Sequence, residues 1–106
     1  MTVRGSRTGR PIMALLDLLG RRWTLRVLWE LRDGPLAFRA LQERCGEMSS
    51  SVLNERLREL RAAGIVGLGE GGYELTGEGR ELLELFGPLN DWAQRWDRRT
   101  RPKARA

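Results

Sequence analysis

From Ser49 to Arg58 the chain sets three serines, an asparagine and an arginine against a repeat of leucines. At about 100° per residue on a helix, Leu53, Leu57 and Leu60 fall within about 60° of arc, while Ser50, Ser51, Asn54 and Arg58 share another sector of about 100°. The chemistry open to that second face is hydrogen bonding to nucleic acid. Asn pairs bidentately with adenine, Ser donates to or accepts from several bases, and Arg pairs with guanine or holds a phosphate. Short polar residues near the start of the helix also let its backbone come close to a groove. Glu55 joins them as a residue that accepts from cytosine or repels wrong sites. The candidate DNA-binding set is Ser49, Ser50, Ser51, Asn54, Glu55 and Arg58, with Arg39 on the preceding segment. The competing reading is a solvated face of an ordinary amphipathic helix, favoured by Glu47, Glu55 and Glu59. Catalysis finds no comparable constellation. The serines have no histidine as a base, and one cysteine with no histidine makes no conventional zinc site, so neither enzyme activity nor a metal or cofactor is expected.

The elements that must hold this face follow from apolar spacing. Pro11 to Leu19 places Ile12, Leu15, Leu16 and Leu19 at helical intervals, with Pro11 suited to a first turn and Gly20 to the stop. Over residues 22–32, Trp23, Leu25, Val27, Leu28, Trp29 and Leu31 cover most of a circumference, which predicts a central helix packed on several sides and ended by Asp33, Gly34 and Pro35. Leu36 and Ala37 are a candidate short strand. Phe38, Leu41 and Cys45 predict a helix over 38–45, broken at Gly46; Ser49 then caps the leucine-striped helix, which closes at Gly64. Two helices joined by about three residues must cross at a steep angle, which is a helix-turn-helix corner. Ile65, Val66 and Leu68 suggest a strand, residues 69–72 a turn, and Tyr73, Glu74 and Leu75 the returning strand. Gly67, Gly69 and Gly72 match the G-x-G-x-x-G spacing of nucleotide loops, but a strand follows where such a site needs a helix N-terminus, so hairpin glycines explain them better. The order gives a mainly α fold with a small β-hairpin, a winged helix-turn-helix.

Thr76 caps a last helical segment carrying Leu82, Leu83, Phe86, Leu89, Trp92, Ala93 and Trp96, with Gly87 and Pro88 expected to kink or divide it. Leu85, Leu89, Trp92 and Trp96 repeat at four, three and four residues. That stripe reads either as intrachain core or, preferably, as a seam with a second copy, since a chain of 106 residues buries a limited share of its surface and large aromatics anchor interfaces. Cys45 reads as a redox sensor or, by its spacing with Phe38 and Leu41, as a small buried hydrophobe; burial is the preferred reading.

Nineteen Lys and Arg against fourteen Asp and Glu give a net charge of +5 and suit a polyanionic partner. Arg4, Arg7 and Arg10 stand on an arm free of acids, and Arg95, Arg98, Arg99, Arg101, Lys103 and Arg105 crowd the other end; these tails either touch nucleic acid or are simply solvated. The expected organisation is a flexible basic arm over 1–10, one winged domain with a C-terminal dimerisation helix over 11–97, and a basic tail over 98–106. No secretory signal or membrane-spanning stretch is evident, which makes the cytoplasm the expected compartment.

Several segments taken in order are specific. They are Leu16-Asp17-Leu18-Leu19-Gly20-Arg21-Arg22-Trp23, Leu28-Trp29-Glu30-Leu31 with Gly34-Pro35-Leu36-Ala37-Phe38, and Met48-Ser49 through Leu53. Arg56-Leu57-Arg58-Glu59-Leu60, Gly64-Ile65-Val66, and Tyr73-Glu74-Leu75-Thr76 with Gly79 and Trp92 complete them. Over residues 11–96 the chain resembles the HxlR family of bacterial winged-helix transcription regulators. The resemblance implies a homodimer associated through its first and last helices, which adds Leu15 and Leu19 to Leu85, Leu89, Trp92 and Trp96 at the seam. It also implies a pseudo-palindromic operator, met by two recognition helices about 34 Å apart. Two features depart from the family. Members that sense oxidants or electrophiles often carry a cysteine just before the proline opening helix one, where this chain has Arg10. The wing is also short and lacks the family's proline-containing basic stretch; Glu70 and Glu74 are its charges, so its contact with DNA stays open. The reading is a sequence-specific DNA-binding regulator. The alternatives are a winged-helix module that docks a partner protein, and a regulator responding to a small apolar effector in a Trp-lined dimer seam.

Overall fold

In the computed structural model, which describes residues 9–46 and 48–102, Pro11 opens α1 (Pro11–Leu19) at the first helical position, where a missing N–H has no intrahelical carbonyl to serve. Gly20 ends it. α2 (Thr24–Glu30) is shorter than its apolar pattern suggests, because Trp23 takes the left-handed conformation (φ 78°) and forces a turn between the helices. As expected of a central helix, α2 packs against three others, the helix before it and two that follow, but one side stays open. Thr24, Val27 and Leu28 are buried, but Leu25 and Trp29 stand 46% and 40% exposed, with the Arg32 guanidinium stacked on the Trp29 ring.

α3 (Phe38–Arg44) and α4 (Ser50–Ala62) form the corner. Gly46 (φ 87°) turns the chain, and Cys45 and Met48 plug the angle between the helices from inside. The Gln42 side-chain amide donates to the Met48 carbonyl (3.2 Å) and to Ser50 Oγ (3.0 Å), fixing the connection from α3 to α4. Ser49 is the N-cap of α4, its hydroxyl accepting from the Val52 N–H.

Gly64 (φ 78°) closes α4 and leads into β1 (Val66–Gly69), which pairs antiparallel with β2 (Gly72–Leu75) in the register Val66 to Leu75. The candidate strand at Leu36 is reduced to one bridge, Leu36 exchanging backbone hydrogen bonds with Tyr73. Gly72 (φ 115°) is required there, since a Cβ would lie 2.4 Å from the Leu36 carbonyl oxygen. β2 begins where a nucleotide loop would need a helix. Thr76 then caps α5 (Gly77–Glu84) by accepting from the Gly79 N–H, while its hydroxyl donates to the Gly64 carbonyl.

The chain divides again at Leu85, before α6 (Phe86–Thr100). The break therefore precedes Gly87 and Pro88, which sit in the first turn of α6, where proline leaves no donor unpaired. Leu18, Val27, Leu28, Leu31, Leu41, Leu53, Leu57 and Leu60 form the core with β-hairpin residues Val66 and Leu75. α6 buries no residue of its own; Arg98 and Arg99 lie in its last turn. Arg4, Arg7, Glu47, Lys103 and Arg105 lie outside the described residues.

Candidate nucleic-acid interface

The two faces of α4 separate as the periodicity requires. Leu53, Leu57 and Leu60 are at most 2% exposed, whereas Ser50, Ser51, Asn54 and Arg58 all face outward. Ser49 is exposed too, but its hydroxyl is engaged as the helix cap and lies 3.4 Å from Ser51 Oγ. Arg39 is exposed on α3, beside the corner. Glu55 is half-buried and ion-paired with Arg58, three residues on, and this carboxylate raises the affinity of the guanidinium for its proton. Among the described residues, the negative charge that α4 carries is thus already partnered by arginine: Glu55 by Arg58, and Glu59 by Arg21 and Arg56.

The Glu59 cluster fixes the helix from behind. Glu59 Oε2 accepts from Arg21 at 2.6 Å and its Oε1 from Arg56 at 2.6 Å, and Arg56 also donates to the Arg22 carbonyl at 3.0 Å. Burial pushes the Glu59 carboxyl up, but the hydrogen bonds from Arg56 and Arg21 outweigh it and hold the group below the usual carboxylate range. The turn after α1 is thereby tied to the middle of α4. Neither this cluster nor Gln42 was evident from sequence pattern, because ion pairs between segments 38 residues apart have no periodic signature.

Between α4 and β1 lies an open cleft of about 710 Å³, lined by Asn54, Glu55, Arg58 and Arg61 on one side and by Val66, Gly67 and Leu68 on the other. Arg61 was not singled out by the leucine-stripe analysis, yet it is seven residues from Asn54 and three from Arg58. Continuing the same wheel by one turn places it inside their sector. Cys45 is 2% exposed; burial raises its thiol pKa, Glu30 adds to the rise and Arg26 opposes it.

A helix-turn-helix corner whose second helix turns a polar face outward beside a two-stranded hairpin defines a winged helix-turn-helix DNA-binding protein. The pattern of the HxlR-like helix-turn-helix family matches residues 18–101, and the chain belongs to that family of DNA-binding transcription regulators. YvaP of Bacillus subtilis (strain 168), an uncharacterized HTH-type transcriptional regulator, is 30% identical over 88 residues, which is 76% of this chain and 82% of YvaP. YodB of the same organism, an HTH-type transcriptional regulator, is 35% identical over 87 residues, 76% of this chain and 78% of YodB. The crystal structure of quinone-bound YodB matches with a TM-score of 0.75 at 33% identity, over 79% of this chain and 96% of that one. A possible HxlR family transcriptional factor from Thermoplasma volcanium GSS1 matches with a TM-score of 0.72 at 26% identity, over 84% of this chain and 86% of that one.

Proposed function

We propose that the protein binds a pseudo-palindromic operator as a cytoplasmic homodimer, with α4 of each copy entering one of two successive major grooves about 34 Å apart. The observation that carries this reading is the outward face of Ser50, Ser51, Asn54 and Arg58 on the second helix of the corner, with no core side chain among them. Dimerisation through α1 and α6 is supported by apolar surface at and along the terminal helix: Leu85, at the junction before it, and Leu89 are 67% and 61% exposed, Trp92 and Trp96 48% each, and the two indoles stack on one another. On α1, Ile12 and Leu16 face outward and Leu15 is half-buried, so these three offer apolar surface to the seam, while Leu19 also packs against the core and would reach the seam only with its exposed part. Selection of duplexes from a randomised pool, followed by sedimentation of the protein and its complex, tests the proposal. An inverted-repeat motif bound by two copies supports it; a motif without dyad symmetry, or a monomer on DNA, refutes it.

A response to a flat apolar effector is a second reading that one feature favours. An open recess of about 410 Å³ between α2 and α6 is lined by Leu25, Trp29, Phe86 and Leu89. Tryptophan emission titrated with small aromatic compounds tests it, and emission unmoved by any of them counts against it.

A further inference from the structure

We propose that Arg61 is a phosphate-binding residue and that the cleft between α4 and β1 seats the sugar-phosphate backbone of one DNA strand, a proposal that rests on α4 being the groove-entering helix. Asn54, Arg58 and Arg61 lie within about 60° of arc at intervals of four and three residues, and span about 10 Å along the helix. A recognition helix presents its N-terminal residues to base edges, so its last turn lies toward the groove rim, where the phosphates are. Arg61 is in that last turn, exposed and facing the cleft.

Of the other arginines of α4, Arg56 is held inward by Glu59 and the Arg22 carbonyl, and Arg58, paired with Glu55 on the exposed face three residues nearer the N-terminus, is the candidate base contact. Arg61 forms no ion pair with a described carboxylate. The opposite wall, from Val66, Gly67 and Leu68, is uncharged, and the hairpin's charges are Glu70 and Glu74. Glu74 is folded against its own strand pair, 2.8 Å from where a Cβ on Gly69 would stand. The hairpin therefore brings no cation to the backbone, and Arg61 supplies it from the helix side.

A cation at a helix C-terminus also favours the helix dipole, so the test needs a readout that this structural effect leaves alone. The full chain is titrated against mixed-sequence duplex DNA over a range of salt concentrations, as wild type, Arg61→Gln and Arg61→Lys. Loss of one phosphate contact lowers the slope of log K against log salt by about 0.9 per protomer in Arg61→Gln, and Arg61→Lys restores it. The affinity falls by the same factor on mixed-sequence and on selected duplexes. Wild-type binding with an unchanged slope in Arg61→Gln overturns the proposal and leaves DNA binding standing. Absence of any salt-dependent binding by wild type overturns both.

Discussion

Replacing Glu59 by Gln tests whether the posture of α4 is set by the charge cluster behind it. The carboxylate accepts one hydrogen bond from Arg21 and one from Arg56, and its side chain and that of Arg56 are 16% and 18% exposed, against 36% for Arg21. Gln keeps one acceptor oxygen and turns an NH2 toward the other arginine, so one charge-assisted bond is lost and the second keeps its cationic donor but loses the anionic acceptor. Such a bond contributes about 1.5 to 3 kcal/mol, and the half-exposed Arg21 places the loss toward the lower end, at roughly 2 kcal/mol. For a chain of this size that lowers the Tm by about 8 to 12 °C. Wild type and variant are compared at one protein concentration, since any dimer makes unfolding concentration-dependent.

The pH dependence gives the sharper check. The folded pKa of Glu59 lies below its unfolded value, so its stabilisation is fully present above the ordinary carboxylate range and is lost as pH falls through the lowered folded value. The stability gap between Glu59→Gln and wild type is accordingly constant around neutrality and closes in acid. A gap under about 0.5 kcal/mol at neutral pH, the scale of a solvated surface pair, refutes the reasoning, as does a gap that persists undiminished in acid.

Three further outcomes are expected. Asn54→Ala relaxes sequence preference and Arg58→Ala weakens binding to selected duplexes, each by about 1 to 3 kcal/mol in competition assays, and unchanged affinity in both variants removes them from the interface. Cys45, with its thiol pKa raised by burial, resists iodoacetamide in the native protein and reacts quickly in denaturant; fast native alkylation contradicts its burial. Gly79→Ala places a Cβ 2.2 Å from the Ile65 carbonyl oxygen and loses at least about 1 to 3 kcal/mol by denaturant titration, whereas Gly77→Ala, which meets nothing within 4 Å, does not.

The parts of the fold that repeat were legible in the sequence. The leucines of α4, the Ser49 and Thr76 caps and the glycine-rich hairpin each carry a local signature, and each stands where its pattern places it. What escaped was non-local or depended on an unusual backbone. Trp23 at positive φ shortens α2, and nothing in residue type announces a left-handed tryptophan. Leu25 and Trp29 look like core by composition, but once α2 has met α3 and α5 their side faces outward. The division at Leu85 precedes Gly87 and Pro88 because a proline in the first turn of a helix is compatible with starting it. At the candidate site, the outward side of α4 was readable from polarity, whereas the Arg21, Arg56 and Glu59 cluster that holds the helix came from residues far apart in sequence.

Methylation interference on a selected duplex tests the claim that α4 reads the major groove most directly, because N7 of guanine is exposed there alone. Premethylated guanines in two patches one helical turn apart should block wild-type binding, and Arg58→Ala should lose that sensitivity at the guanine its arginine contacts. Binding indifferent to N7 methylation at every position would contradict the account.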